Sequence, residues 1–177
     1  TMLKVLARAG FEGSLHGCDI SAGMLRQAAS RWTDGPLPCL QLQNGATAPF
    51  PDHSFDLITV SAVLHHVPLD ERSDVYRELL RLLRPNGRAY IFEHNPYNPI
   101  TQWVVKHTPI DRNAFLLPAR RLVRSLRRHG CTRTHTRYLM FFPPAWKWTR
   151  GVEHLLRWLP LGGQYVVRMD AASTPSG

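Results

Sequence analysis

The chain has 177 residues, of which 44% are apolar and 10% aromatic. This length and composition can bury a hydrophobic core, so they exclude an intrinsically disordered chain and predict one globular domain. Lys and Arg number 22 against 13 Asp and Glu, giving a formal net charge of +9. This charge is compatible with nucleic acid or an anionic membrane as a partner. The basic residues are not concentrated in one block, however, so we attribute the charge to a general richness in arginine.

The three cysteines, Cys18, Cys39 and Cys131, are widely spaced and form no Cys-x-x-Cys pair. They therefore predict neither a disulfide framework nor a metal site, and a reducing cytoplasm is the expected location. No apolar run approaches the roughly twenty residues of a membrane span. The first residues also lack the pattern of a signal peptide. We expect a cytoplasmic protein with no transmembrane segment and no metal.

The first part of the chain predicts alternating helices and strands. Apolar residues at helical spacing begin near the amino end and stop at Gly10, and Ser21 is a helix N-cap in type and position. The predicted elements are a helix over residues 2–9, a strand over 14–20, a helix over 22–32 and a strand over 37–43.

A turn, a buried strand and polar side chains follow one another over residues 48–67. Two prolines and an aspartate set up the turn, and residues 55–61 are an apolar run of strand formers. Ser61, His65 and His66 come at the carboxyl end of that strand. Ligands of open α/β sheets bind outside the carboxyl ends of the strands. This stretch therefore predicts a ligand crevice.

The remaining chain continues the alternation and predicts a parallel sheet with helices on both faces. Pro85-Asn86-Gly87 predicts a tight turn between a helix and a strand. The later elements are a helix over residues 70–83, a strand over 88–93, helices over 100–107 and 118–129, a strand over 132–142, a tryptophan-bearing helix over 144–158 and a strand over 163–169. We expect a single domain over residues 1–170 and a loose tail over 171–177.

Three blocks carry a family resemblance: residues 16–25, where Asp19 ends a strand before a helix; residues 44–67; and residues 78–93, a helix, turn and strand. In this order they resemble the class I S-adenosylmethionine-dependent methyltransferases, in particular the branch that methylates small molecules. The resemblance is specific over about residues 13–94. It implies an α/β fold with a doubly wound, mostly parallel Rossmann-like sheet, S-adenosyl-L-methionine as methyl donor and a small-molecule substrate.

One part of the family pattern is absent before Asp19. The family places its first strand and a glycine-rich loop there, but Gly10, Gly13 and Gly17 do not have the Gly-x-Gly-x-x-Gly spacing. No strand is predicted before them. We therefore expect a chain that begins inside the family's first helix, an N-terminally truncated fragment or defective copy without the first strand.

The resemblance implies that several residues of the first blocks bind the cofactor. Asp19 would accept hydrogen bonds from the ribose diol, with Ile20 beside the adenine ring. Asn44, Gly45 and Ala46 would contact the adenine edge. The alternatives are structural: an aspartate in this position caps a helix, and Asn-Gly is an ordinary turn.

Ser61, His65 and His66 lie where the cofactor and substrate of the family approach one another. We assign Ser61 to cofactor binding and His65 or His66 to general base catalysis, which is needed only if the acceptor must lose a proton. The alternative is that one histidine packs against the sheet and hydrogen-bonds a carbonyl. Glu93 and His94 end the next strand and offer a second acid and base.

Two later segments leave other functions open. The arginines of residues 118–129 predict a solvated helix face, or phosphate contacts with RNA. The tryptophans of residues 144–158 predict packing on the sheet, or else contact with a membrane surface or a roof over a substrate pocket. The alternatives to a small-molecule methyltransferase are therefore a non-catalytic binding protein and an RNA methyltransferase, although nucleic acid is not the expected partner.

Overall fold

A computed structural model describes residues 2–111, 114–142 and 146–171. Within these ranges helices and strands alternate, which confirms the α/β class. The helices are α1 (Met2–Arg8), α2 (Ala22–Ser30), α3 (Arg72–Leu82), α4 (Pro99–His107), α5 (Ala119–Arg128) and α6 (Arg150–Leu156). The strands are β1 (His16–Asp19), β2 (Cys39–Leu42), β3 (Phe55–Ser61), β4 (Leu83–His94), β5 (Arg133–Leu139) and β6 (Gln164–Asp170). Two compact units are formed, Thr1–Pro51 and Asp52–Gly177.

The first unit contains a two-stranded parallel sheet of β1 and β2, in which Asp19 pairs with Leu42. The predicted N-cap is confirmed, because the Ser21 hydroxyl accepts the Met24 N–H at 3.3 Å and opens α2. No strand precedes β1 among residues 2–15. The unit thus presents the carboxyl ends of two parallel strands at one edge.

The second unit contains a four-stranded sheet in the order β3-β4-β6-β5. β3 and β4 are parallel, and β6 lies between β4 and β5 and runs opposite to both. The sheet is therefore mixed: β3, β4 and β5 share one direction, and β6 makes two of its three strand pairs antiparallel. Measured by length and hydropathy, no helix of the described ranges could cross a membrane.

The turn predicted at Pro85-Asn86-Gly87 is a bulge inside β4. Leu83 pairs with Phe55 and Arg88 with Leu57, so residues 84–87 loop out of the ladder. Asn86 takes a positive φ of 63°. A Cβ on Gly87 would lie 2.8 Å from the Arg84 carbonyl oxygen, which explains a glycine there.

Helix α5 covers the core of the second unit. Leu122 and Leu126 are fully buried together with Ile91 of β4 and Val167 of β6. Every arginine of the helix is exposed on the opposite face, which confirms the predicted solvated face. These side chains are Arg120, Arg121, Arg124, Arg127 and Arg128.

The tryptophan-bearing segment does not pack as expected. Its described part is a 3₁₀ turn over Lys147–Thr149 followed by α6, and residues 143–145 lie outside the described ranges. Trp148 is 79% exposed and Trp158 75%, and none of residues 151–156 is buried. The expectation of sheet packing is wrong because α6 is anchored by a polar contact instead: the Glu153 carboxylate accepts the N–H of Phe141 at 3.0 Å. In the predicted tail, residues 172–177 also lie outside the described ranges.

Gly162 stands where the chain approaches β5 before entering β6. A Cβ at this position would clash with the Leu139 carbonyl oxygen and lie 2.8 Å from the Leu139 nitrogen. We expect Gly162→Ala to lower the free energy of unfolding by about 1–3 kcal/mol, measured by urea denaturation. Gly151→Ala is the control, because a Cβ there meets nothing within 4 Å. Equal stabilities of the two variants would contradict this prediction.

Candidate functional site

Glu93, near the end of β4, anchors the loop that follows β3. The side chain is buried, and Oε1 accepts the backbone N–H groups of Val63 at 3.1 Å and Leu64 at 2.7 Å. Oε2 lies 2.6 Å from Nδ1 of His65, which donates to it. One carboxylate thus fixes both the loop backbone and the orientation of the histidine ring.

His65 is fully buried and stands between two carboxylates. On the side away from Glu93, its Nε2 lies 3.5 Å from Oδ1 of Asp111, without an aligned hydrogen bond. Burial lowers the pKa of His65, but the hydrogen bond and negative charge of Glu93, with Asp111, outweigh burial and raise the pKa above its ordinary value of 6.5. The predicted alternative, a histidine bonded to a carbonyl, is wrong for His65, because its partner is a carboxylate.

His66 is the accessible member of the pair. Its side chain is 39% exposed, and its Nε2 lies 3.3 Å from the same Asp111 oxygen. The rings of His65 and His66 are 4.1 Å apart, and the ring of His94 is 5.1 Å from His65. Burial, followed by the charge of His65, lowers the pKa of His94. The predicted polar residues of β3 and β4 therefore do come together.

Asp111 was not predicted from the sequence. It ends a 3₁₀ turn over Pro109–Asp111, outside every block that carries the family resemblance. No motif marks it. A carboxylate that two neighbouring histidines share became visible only through the tertiary structure.

A cleft of about 730 Å³ lies in the second unit, and neither the histidines nor Asp111 line it. It is lined by Arg72 and Tyr76 of α3, by Phe115, and by Arg121 and other arginines of α5. The Phe115 N–H donates to the carbonyl of His65 at 2.8 Å, which connects the cleft wall to the histidine pair.

In the first unit, Asp19 ends β1 as predicted. Its Oδ1 accepts the N–H of Ser21, two residues later, at 2.8 Å, which is an Asx turn. The N-cap of α2 is Ser21, so the capping alternative is wrong for Asp19. Ile20 is 71% exposed beside it. The bond to Ser21 holds the carboxylate in one orientation, and the ribose contact stays a prediction.

Asn44, Gly45 and Ala46 form a tight turn after β2. The Thr47 N–H donates to the Asn44 carbonyl at 3.0 Å, and Gly45 has a φ of 56°. The turn alternative is thus confirmed for the backbone, while the adenine contact stays a prediction. Ser61, the last residue of β3 in the second unit, is exposed.

Two solved structures of methyltransferases have folds similar to this one. A SAM-dependent methyltransferase from Archaeoglobus fulgidus superposes with a TM-score of 0.69 at 13% identity, over 96% of this chain and 80% of that one. The CMeT domain of the citrinin polyketide synthase superposes with a TM-score of 0.70 at 19% sequence identity, over 98% of this chain and 43% of that one. These likenesses confirm the Rossmann-like methyltransferase fold.

Curated relatives match about half of this chain. A demethylmenaquinone methyltransferase of Listeria monocytogenes is 37% identical over 81 residues, 45% of this chain and 33% of the relative. A ubiquinone/menaquinone biosynthesis C-methyltransferase of Stenotrophomonas maltophilia is 39% identical over 90 residues, 49% of this chain and 34% of the relative. The matches span about a third of the length of these relatives. The methyltransferase domain family matches residues 1–91, more than half of the chain, and this chain therefore belongs to that family.

Proposed function

We propose that the chain carries out S-adenosylmethionine-dependent methyl transfer to a small organic molecule. The observation that supports this most strongly is the family match over residues 1–91, which includes Asp19, the turn at Asn44 and Ser61. The two relatives described above are named as methyltransferases of quinone biosynthesis. By analogy, we propose an acceptor of that chemical class.

The residues at the carboxyl end of β1 fit the adenosine half of the cofactor. The Asp19 carboxylate, oriented by its bond to the Ser21 N–H, would accept hydrogen bonds from a ribose diol. The exposed side chain of Ile20 offers apolar surface for a base. Asn44, with the backbone of Gly45 and Ala46, would bind the polar edge of adenine.

The cofactor supplies an electrophilic methyl group on a sulfonium, so the protein must mainly align the acceptor with it. An acceptor that becomes nucleophilic only after losing a proton also needs a base. His66 is the group proposed for this role, because its side chain is 39% exposed and the Asp111 carboxylate, 3.3 Å from its Nε2, would stabilise the imidazolium that forms. Buried His65 is proposed as a positioning residue.

Calorimetric titration with S-adenosylhomocysteine tests the cofactor assignment. We expect saturable binding of one equivalent to the unchanged chain. Asp19→Asn keeps an acceptor for the Ser21 N–H but removes the charge, and it should weaken binding about 10-fold or more. Asp70→Asn, an exposed acid before α3, is the matched control and should bind normally.

Two outcomes would contradict the proposal. No binding by the unchanged chain, even with the cofactor product in excess, would favour the non-catalytic alternative. A methylated RNA product, together with RNA binding that falls steeply as salt rises, would contradict a small-molecule acceptor.

A further inference from the structure

His65, His66 and Asp111 each bring one possible metal-ligand atom into the same small volume. Their ligand atoms all lie within 4.8 Å of one another, and Asp111 Oδ1 is 3.5 Å from Nε2 of His65 and 3.3 Å from Nε2 of His66. We propose that this cluster is a binding site for a divalent transition metal ion of the zinc class. The three residues are referred to below as the histidine–aspartate cluster.

The distances fit the coordination geometry of zinc. Zinc binds imidazole nitrogen at about 2.0–2.1 Å and carboxylate oxygen at about 2.0–2.2 Å in a tetrahedron, which places neighbouring ligand atoms about 3.3–3.5 Å apart. Both nitrogen–oxygen separations have this length. Rotation of the half-exposed His66 ring can adjust the third separation, between the two Nε2 atoms. Three protein ligands leave a fourth position for water or another small ligand.

A second observation points to a ligand at this centre. Nε2 of His65 is buried and has no aligned hydrogen-bond partner. Its other ring nitrogen is held by Glu93 Oε2 at 2.6 Å, and that carboxylate is itself fixed by two backbone N–H groups. A carboxylate that orients the far nitrogen of a metal-binding histidine is the usual outer partner in zinc sites. The lone pair of Nε2 is therefore directed at the centre of the cluster.

The surroundings suit a cation. Carboxylates stand on both sides of His65, with Asp111 as a ligand and Glu93 behind the ring. An ion would enter on the side of His66, whose ring is 39% exposed. A metal on Nε2 of His66 would occupy the lone pair that a base uses, so metal binding and proton transfer exclude each other at this atom. The ion does not require the methyl donor, and its binding is measured without it.

Cobalt is the probe, because tetrahedral Co²⁺ absorbs visible light more strongly than the hydrated ion. We expect the 177-residue chain to take up one equivalent of Co²⁺ with a tetrahedral spectrum, and Zn²⁺ to displace it. His66→Ala and Asp111→Asn should each weaken Co²⁺ binding about 10-fold or more. Affinity should also fall as the pH falls, because the ligating imidazoles must be neutral.

His107→Ala is the matched control, since His107 is an exposed histidine of α4 outside the cluster. It should bind Co²⁺ like the unchanged chain. Asp111→Asn preserves the shape of the side chain, and it tests the site even if His66→Ala does not fold. The inference is overturned if the unchanged chain gives no tetrahedral spectrum, or if Asp111→Asn binds Co²⁺ as tightly as the unchanged chain does.

Discussion

Replacing Glu93 with alanine is expected to lower the free energy of unfolding by about 3–5 kcal/mol. The change leaves three donors without their acceptor: the N–H groups of Val63 and Leu64 and the Nδ1–H of His65. The donors of Leu64 and His65 are buried. Urea denaturation followed by circular dichroism measures the difference. Asp74→Ala is the control, because Asp74 pairs with Arg77 on the surface, where such a pair contributes only about 0–1 kcal/mol.

The pair of Glu93 and His65 also predicts how the free energy of unfolding changes with pH. The folded state raises the pKa of His65, so the stabilisation is complete below the ordinary value of 6.5 and is lost as the pH rises through the raised value. The free energy of unfolding should therefore decrease over that interval. In Glu93→Gln this decrease should become smaller. An equal decrease in both proteins would assign it to other groups and contradict the role given to Glu93.

Replacing His66 with alanine is expected to slow methyl transfer about 10²–10⁴-fold, provided that the acceptor must lose a proton. This prediction depends on the proposed function. The loss should appear in kcat, while the affinity for S-adenosylhomocysteine stays unchanged, because His66 is not assigned to the cofactor.

His107→Ala, which removes an exposed histidine of α4, should keep the rate of the unchanged chain. A normal kcat in His66→Ala would remove His66 from the reaction. Catalysis would then depend on alignment of the acceptor alone.

The amino-acid sequence by itself determined the local structure. The strand over Phe55–Ser61 has the predicted bounds, Ser21 caps α2, and α5 buries Leu122 and Leu126 beneath its arginines. Each of these features depends on residues close together in the chain. A run of strand-forming residues predicts the strand, the residue type at the N-cap predicts the start of the helix, and the spacing of apolar residues predicts the buried helix face. The family resemblance belongs to the same level, since its blocks are local strings of residues.

The tertiary structure alone decided which distant groups meet. It placed Asp111 beside His65 and His66, and it inserted β6 between β4 and β5 in the opposite direction. It also left Trp148 exposed. Such contacts depend on loop closure and on competition between alternative packings over the whole unit, and no short stretch of sequence encodes that balance.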